Sequence, residues 1–273
     1  MARFRFSLTA LALTVLMAVT AAAPTTAHAA DYPTPPFSPV GANDWDCRPT
    51  AAHPEPVVIV HGTFGDKFFL LNSLSSRLKG NGYCVFSLDY GNRGTGPIGE
   101  SAGRLGDFVD KVLAATGAAK VSMVGHSQGG MMPRYYIKFL DGAGKVEDLI
   151  GVVPSNHGTY NSQALAALEP VCYACLEQAG DSEFIARLNA GDETPGDVDY
   201  TQITTRYDTV IVPFTSAYLE PGPRSTNILL QDSCALDTAD HLSAIFDRIA
   251  ISWALNALGR EGPADNAADI GCL

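Results

Sequence analysis

Ser127 stands in Gly125-His126-Ser127-Gln128-Gly129, the pattern G-x-S-x-G. An apolar run at 121–124 precedes it, and residues 131–140, with helical spacing, follow. Strand, tight turn and helix together are the setting in which such a serine is raised for attack. A serine hydroxyl is a poor nucleophile at neutral pH and needs a general base. The histidines are His28, His53, His61, His126, His157 and His241. His28, His53 and His61 precede the serine. His126 lies in the turn itself and is expected to point away from Ser127. His157 follows the very next strand and leaves no room for an acid between. His241 is therefore the candidate base. The acid should follow a strand between the two, and Asp208, just past the β-rich run at 201–205, fits. There it would hold the imidazole in one tautomer and stabilise the imidazolium. Asp232, past the next strand, is the alternative; Asp237 and Asp240 lie too near His241 along the chain. A tetrahedral intermediate also needs donors. The backbone N–H of Gln128 is one, and the loop His61-Gly62-Thr63-Phe64-Gly65 offers that of Thr63 as the other.

These side chains need a frame. Short apolar or β-branched runs at 55–60, 83–88, 121–124, 149–153, 201–205 and 226–230 read as strands. Helical spacing appears at 103–115, 131–140 and 242–258, with Pro133 expected in the first turn of the second. Strands alternating with helices predict an α/β fold: a mostly parallel central sheet with helices on both faces. Residues 158–200 are the least regular, with helical stretches near 163–168 and 182–188 around Cys172-Tyr173-Ala174-Cys175. They are expected to rise above the sheet as part of a substrate wall.

"VVIVHGTFG", "VGHSQGGMMPRYYIKFL", "TTRYDTVIVP" and "DHLSAIFD" together resemble the secreted bacterial class 2 lipases of the α/β-hydrolase fold, those of actinobacteria especially. The likeness covers roughly residues 55–258. It implies Ser127 as nucleophile, Asp208 as acid, His241 as base, and oxyanion donors at Thr63 and Gln128. It also implies hydrolysis of carboxylic esters, from short soluble ones to triacylglycerols, with no cofactor. Apolar clusters beside each part of the site suggest an acyl wall: Phe64 with Phe68, Phe69 and Leu70; Met131 with Met132; Leu242 with Ile245 and Phe246. Phe64, Met131 and Leu242 are the named substrate-binding candidates. Competing readings are a cutinase-like polyesterase, an acyltransferase using the same three side chains, and a non-catalytic binding protein on a hydrolase scaffold. The intact set of catalytic residue types argues against the last.

Arg3 and Arg5, an apolar run from Leu8 and the small-x-small pattern Ala27-His28-Ala29 read as a secretory leader over residues 1–29. Residues 30–54, rich in Pro, Thr and Ala, read as a surface arm, and 55–273 as the catalytic domain. The chain carries a net charge of −11, and losing two arginines and no acid with the leader would take it to −13. With no basic stripe, nucleic acid is not an expected partner. An acyl ester or lipid substrate is, with transient contact at a lipid interface, no membrane span and a monomeric state. The expected location is extracellular. Six cysteines in an exported chain suggest three disulfides. They allow fifteen connectivities; pairing neighbours in sequence order would give Cys47–Cys84, Cys172–Cys175 and Cys234–Cys272. No second close Cys/His pair completes a zinc site beside the CxxC, so no metal is expected.

Overall fold

The computed structural model describes Met1 and residues 33–161, 167–168 and 170–272. The expected leader at 2–29 and most of the helical stretch expected near 163–168 lie outside the described residues. Six strands form one sheet: β1 (Val57–Val60), β2 (Val85–Leu88), β3 (Val121–His126), β4 (Val146–Val152), β5 (Asp199–Thr204) and β6 (Ser225–Leu229). Their order is β2-β1-β3-β4-β5-β6, and every pairing is parallel. A parallel sheet covered on both faces needs apolar residues on both sides of each strand. β1 shows this: all four residues of Val57-Val58-Ile59-Val60 are buried. Val58 and Val60 enter one core, Val57 and Ile59 the other.

The first core is closed by α3 (Ile98–Thr116), through Leu105 and Val109, and by α4 (Gln128–Phe139), through Met131 and Ile137. The second is closed by α1 (Lys67–Gly80), through Leu71, Leu74 and Leu78, and by the C-terminal helix at Arg248–Leu258, through Ile249 and Trp253. The shorter elements are α2 (Gly91–Gly94), α5 (Tyr173–Glu177), α6 (Glu183–Asn189) and α7 (Leu230–Ser233), which makes the C-terminal helix α8. β1 lies between β2 and β3, so the chain leaves it in opposite directions. Such a reversal opens a crevice at the carboxyl ends of the strands, where α/β proteins bind ligands.

The β2 edge is covered, and the β6 edge is flanked by the tail. Asn43 N–H donates to Val85 O at 2.9 Å, and the Asn43 side chain accepts from Ser87 N–H and donates to Ser87 O, each at 2.9 Å. Trp45 packs 5.1 Å from the Phe86 ring, and Cys47–Cys84 fixes this arm to β2. Beyond β6, tail residues from Asn266 to Gly271 share a cleft with Asn227–Leu229, and Cys234–Cys272 fixes the tail. Unpaired edges template aggregation, and covering them removes that risk.

Several boundaries differ from the sequence reading. α4 begins at Gln128, so Pro133 sits in its second turn rather than its first. The last helix begins at Arg248 rather than 242, because Asp247 accepts from Ile249 and Ala250 N–H and so caps it there. α1 was not expected at all. Its inward face, Leu71, Leu74, Ser75 and Leu78, has helical spacing, but exposed Phe69 and a central run of serines obscure it.

Candidate active site

Ser127 occupies the turn between β3 and α4 with φ 54° and ψ −123°. A non-glycine residue held there costs on the order of 1–3 kcal/mol, and such strain clusters at functional sites. The turn is held by Ser127 N–H donating to Val152 O at 2.9 Å and Gly130 N–H to Ser127 O at 2.9 Å. It closes only because the flanking residues lack side chains. A Cβ on Gly125 would overlap the carbonyl of Gly129, and one on Gly129 would overlap the carbonyls of Val60 and His61.

Ser127 Oγ lies 3.0 Å from His241 Nε2, and His241 Nδ1 lies 2.9 Å from Asp208 Oδ2. In the consistent assignment Ser127 O–H donates to Nε2, and Nδ1–H donates to the carboxylate. The other carboxylate oxygen accepts from Val210 and Ile211 N–H at 2.9 and 2.8 Å, which fixes Asp208 in its loop. The loops that carry Asp208 and His241 are joined directly. Tyr207 pairs with Asp240 in a parallel bridge, and Thr205 Oγ1 donates to Ala239 O at 2.6 Å. Gln231 spans both loops: its Oε1 accepts from Arg206 N–H, and its Nε2 donates to Thr205 Oγ1 and Asp237 O. Asp232 instead points into solvent near Arg206.

His126 packs beside the other histidine of the site. Its ring centroid lies 5.1 Å from that of His241, and its Nε2–H donates to His241 O at 2.8 Å. Burial, then the neighbouring His241, pushes its pKa down to about 3, so it is a neutral ring braced against His241. His61, buried and stacked 4.3 Å from Tyr90, is likewise pushed down to about 4 by burial.

Gln128 is the first residue of α4, so its N–H is among the donors that a helix start leaves without an intrahelical acceptor. Thr63 faces it from the loop after β1: Gln128 Nε2 donates to Thr63 Oγ1 at 3.1 Å and to Gly94 O at 2.9 Å. The next residue, Phe64, has φ 61°, and Arg93 Nε–H donates to its carbonyl at 3.0 Å while Arg93 also pairs with Asp66 at 3.0 Å. The loop is thus held by Gln128 at Thr63 and by Arg93 at Phe64 and Asp66.

A cavity of about 320 Å³ opens over Ser127 and His241. Phe64, Leu168, Val210, Ile211 and Leu242 supply apolar wall, and Thr63, Thr159 and Gln178 polar points. Of the three expected substrate-binding residues, Phe64 and Leu242 line it. Met131 does not; with Met132 it is fully buried in the core under α4, because that face of the helix turns toward the sheet. Phe68 and Phe69 also lie outside the cavity, on α1. Leu168, Val210, Ile211 and Gln178 were not anticipated individually, since only the folded loops bring them over the serine. A larger cleft of about 390 Å³, lined by Tyr135, Tyr173 and Phe184, contains none of Ser127, Asp208 or His241. The six cysteines form Cys47–Cys84, Cys172–Cys175 and Cys234–Cys272. Among the described residues no group of three or more His, Cys, Asp or Glu could hold a metal ion, and no helix is long and apolar enough to cross a membrane.

A parallel sheet of this order, with a serine on the turn between its third strand and the helix that follows, defines a protein of the α/β-hydrolase fold. Residues 54–253 match the family model of class 2 lipases, and the chain belongs to that family. The triacylglycerol lipases of Pseudarthrobacter phenanthrenivorans and Burkholderia plantarii are each 41% identical to it over 92 residues. That stretch is 31% of this chain and 28% and 25% of theirs, so the match spans about a quarter of these relatives. Among solved structures, Aspergillus fumigatus lipase B is similar with a TM-score of 0.70 at 21% identity, covering 79% of this chain and 55% of that one. Mature Bacillus licheniformis lipase BlEst2 is similar at 0.60 and 18% identity, covering 77% and 94%. At such identities the likeness is one of fold.

Proposed function

We propose that the protein is an extracellular carboxylic ester hydrolase that works through an acyl-enzyme on Ser127. The observation that carries this reading is the unbroken hydrogen-bonded chain Ser127–His241–Asp208 under an apolar cavity. As Ser127 Oγ attacks the ester carbonyl, His241 Nε2 takes its proton. Asp208, pinned by two backbone N–H groups, holds Nδ1–H and stabilises the imidazolium. The oxyanion is received by the N–H groups of Thr63 and Gln128. His241 then protonates the leaving alcohol, the acyl group stays on Oγ, and a water activated by the same imidazole releases the acid. Phe64, Ile211 and Leu242 bind the acyl chain, each buried methylene contributing about 0.8 kcal/mol. Export is supported by the leader composition and by three disulfides.

The test is a chain-length series of p-nitrophenyl esters, in solution and at an emulsion interface, with wild type and Ser127→Ala. Wild type should favour acyl chains longer than acetate, and Ser127→Ala should stay folded while kcat falls by several orders of magnitude. Near-normal hydrolysis by Ser127→Ala would remove the serine from the mechanism.

A further inference from the structure

We propose that Gln178 is a positioning residue of the oxyanion loop, and that the Cys172–Cys175 disulfide influences turnover through it. This rests on the reading of Thr63 as an oxyanion donor. Thr63 Oγ1 accepts two side-chain amides: Gln128 Nε2 at 3.1 Å and, from 115 residues further along the chain, Gln178 Nε2 at 3.1 Å. Both acceptor positions of the hydroxyl are thereby used, which ties Thr63 to two separate elements. Gln178 is itself buried and fully engaged. Ser155 Oγ donates to its Oε1 at 2.8 Å, its Nε2 also donates to Ala174 O at 3.1 Å, and its carbonyl accepts from Thr159 N–H at 2.9 Å. The Ala174 carbonyl fixes which end of the amide faces Thr63.

That carbonyl is presented by α5, five residues long, far shorter than a helix that persists alone. The disulfide closes its first turn. Cys172 is the cap, its Sγ accepts from Cys175 N–H at 3.1 Å, and Ala174 N–H donates to Thr95 O at 3.0 Å. Thr95 follows Gly94, whose carbonyl accepts from Gln128. The disulfide-closed turn, through Gln178, and α4, through Gln128, thus brace one hydroxyl. Cys175, Gln178, Thr63 and Ser127 all line the same cavity.

The experiment compares kcat and KM on a short acyl ester for wild type, Gln178→Leu, the double variant Cys172→Ala/Cys175→Ala, and the triple variant. Gln178→Leu should lower kcat about 5- to 30-fold with KM within about twofold, since a displaced donor weakens transition-state binding alone. The disulfide variant should lower kcat less, and the triple variant no further than Gln178→Leu, because both act on one contact. Gln178→Glu adds a readout that packing alone would not move. A carboxylate cannot donate to Thr63, whereas the protonated acid can, so its kcat relative to wild type at each pH should rise as pH falls. If Gln178→Leu does not fold, Gln178→Glu decides the case. Unchanged kcat in Gln178→Leu, a flat Gln178→Glu ratio, or losses that multiply in the triple variant would overturn the inference while the hydrolase reading stands. A wild type inactive on every ester would overturn both.

Discussion

Asp208 and Asp232 each follow a strand, yet only Asp208 reaches the imidazole, 2.9 Å from His241 Nδ1. Asp208→Asn should lower kcat by roughly 10²–10⁴, whereas Asp232→Asn, altering an exposed side chain, should leave it within about twofold. Steady-state kinetics of the pair check this, and the reverse ranking would assign the acid to the wrong loop. Phe64 gives a second prediction. It lines the cavity beside Thr63, so Phe64→Ala should reduce discrimination between acetate and medium-chain esters about tenfold while acetate turnover falls less. Equal losses on all chain lengths would instead mean that the strained loop had collapsed. The nearness of Ser127, Asp208 and His241 was legible in the sequence because chemistry restricts each role to a few residue types in a fixed order. His126 and Gln178 were not legible. Nothing local marks a histidine as lying under another 115 residues away, or a glutamine as reaching across to Thr63.

At the scale of elements, the turn from β3 into α4 tolerates no side chain at Gly125, where a Cβ would overlap the Gly129 carbonyl. Gly125→Ala should destabilise the fold by about 3 kcal/mol or more, the upper range for a single substitution, or prevent folding. Gly103, inside α3 with open space around its Cβ position, should behave oppositely: Gly103→Ala should add about 0.5–1 kcal/mol. Denaturant midpoints of the two variants are the check. The strands were readable because β-branched runs such as Val57-Val58-Ile59-Val60 have few alternatives. Helix ends were less so, since they depend on caps: Asp66 accepts from Phe69 N–H at 2.7 Å and starts α1 just where the sequence looks merely apolar.

For the whole molecule, Cys47–Cys84 and Cys234–Cys272 close loops with sequence separations of 37 and 38 at opposite edges of the sheet. Loop entropy assigns each about 4 kcal/mol, so replacing either pair by alanine should lower stability by about 2–5 kcal/mol in chemical denaturation. Stability should also depend on pH with a definite sign. His61 and His126, held at about 4 and 3 when folded, regain 6.5 when unfolded. Between pH 4 and 6.5 the unfolded chain therefore binds up to two more protons at these sites. Burial pushes Asp148 from 3.8 to about 7, so there the folded chain binds one more. Across these three groups the balance favours the unfolded chain by up to about one proton, so together they should make stability fall with falling pH by up to about 1.4 kcal/mol per unit. Asp148→Asn should steepen that slope; a flat profile would contradict the buried neutral histidines. The proposed function makes one central claim, that Ser127 Oγ forms a covalent bond to the substrate acyl group. It is tested most directly by treating the protein with a fluorophosphonate and mapping the adduct by peptide mass spectrometry. A single adduct on Ser127, formed rapidly by wild type and at least a hundredfold more slowly by His241→Ala, is the result expected. No adduct, an adduct on another residue, or equal rates in the two proteins would contradict the account.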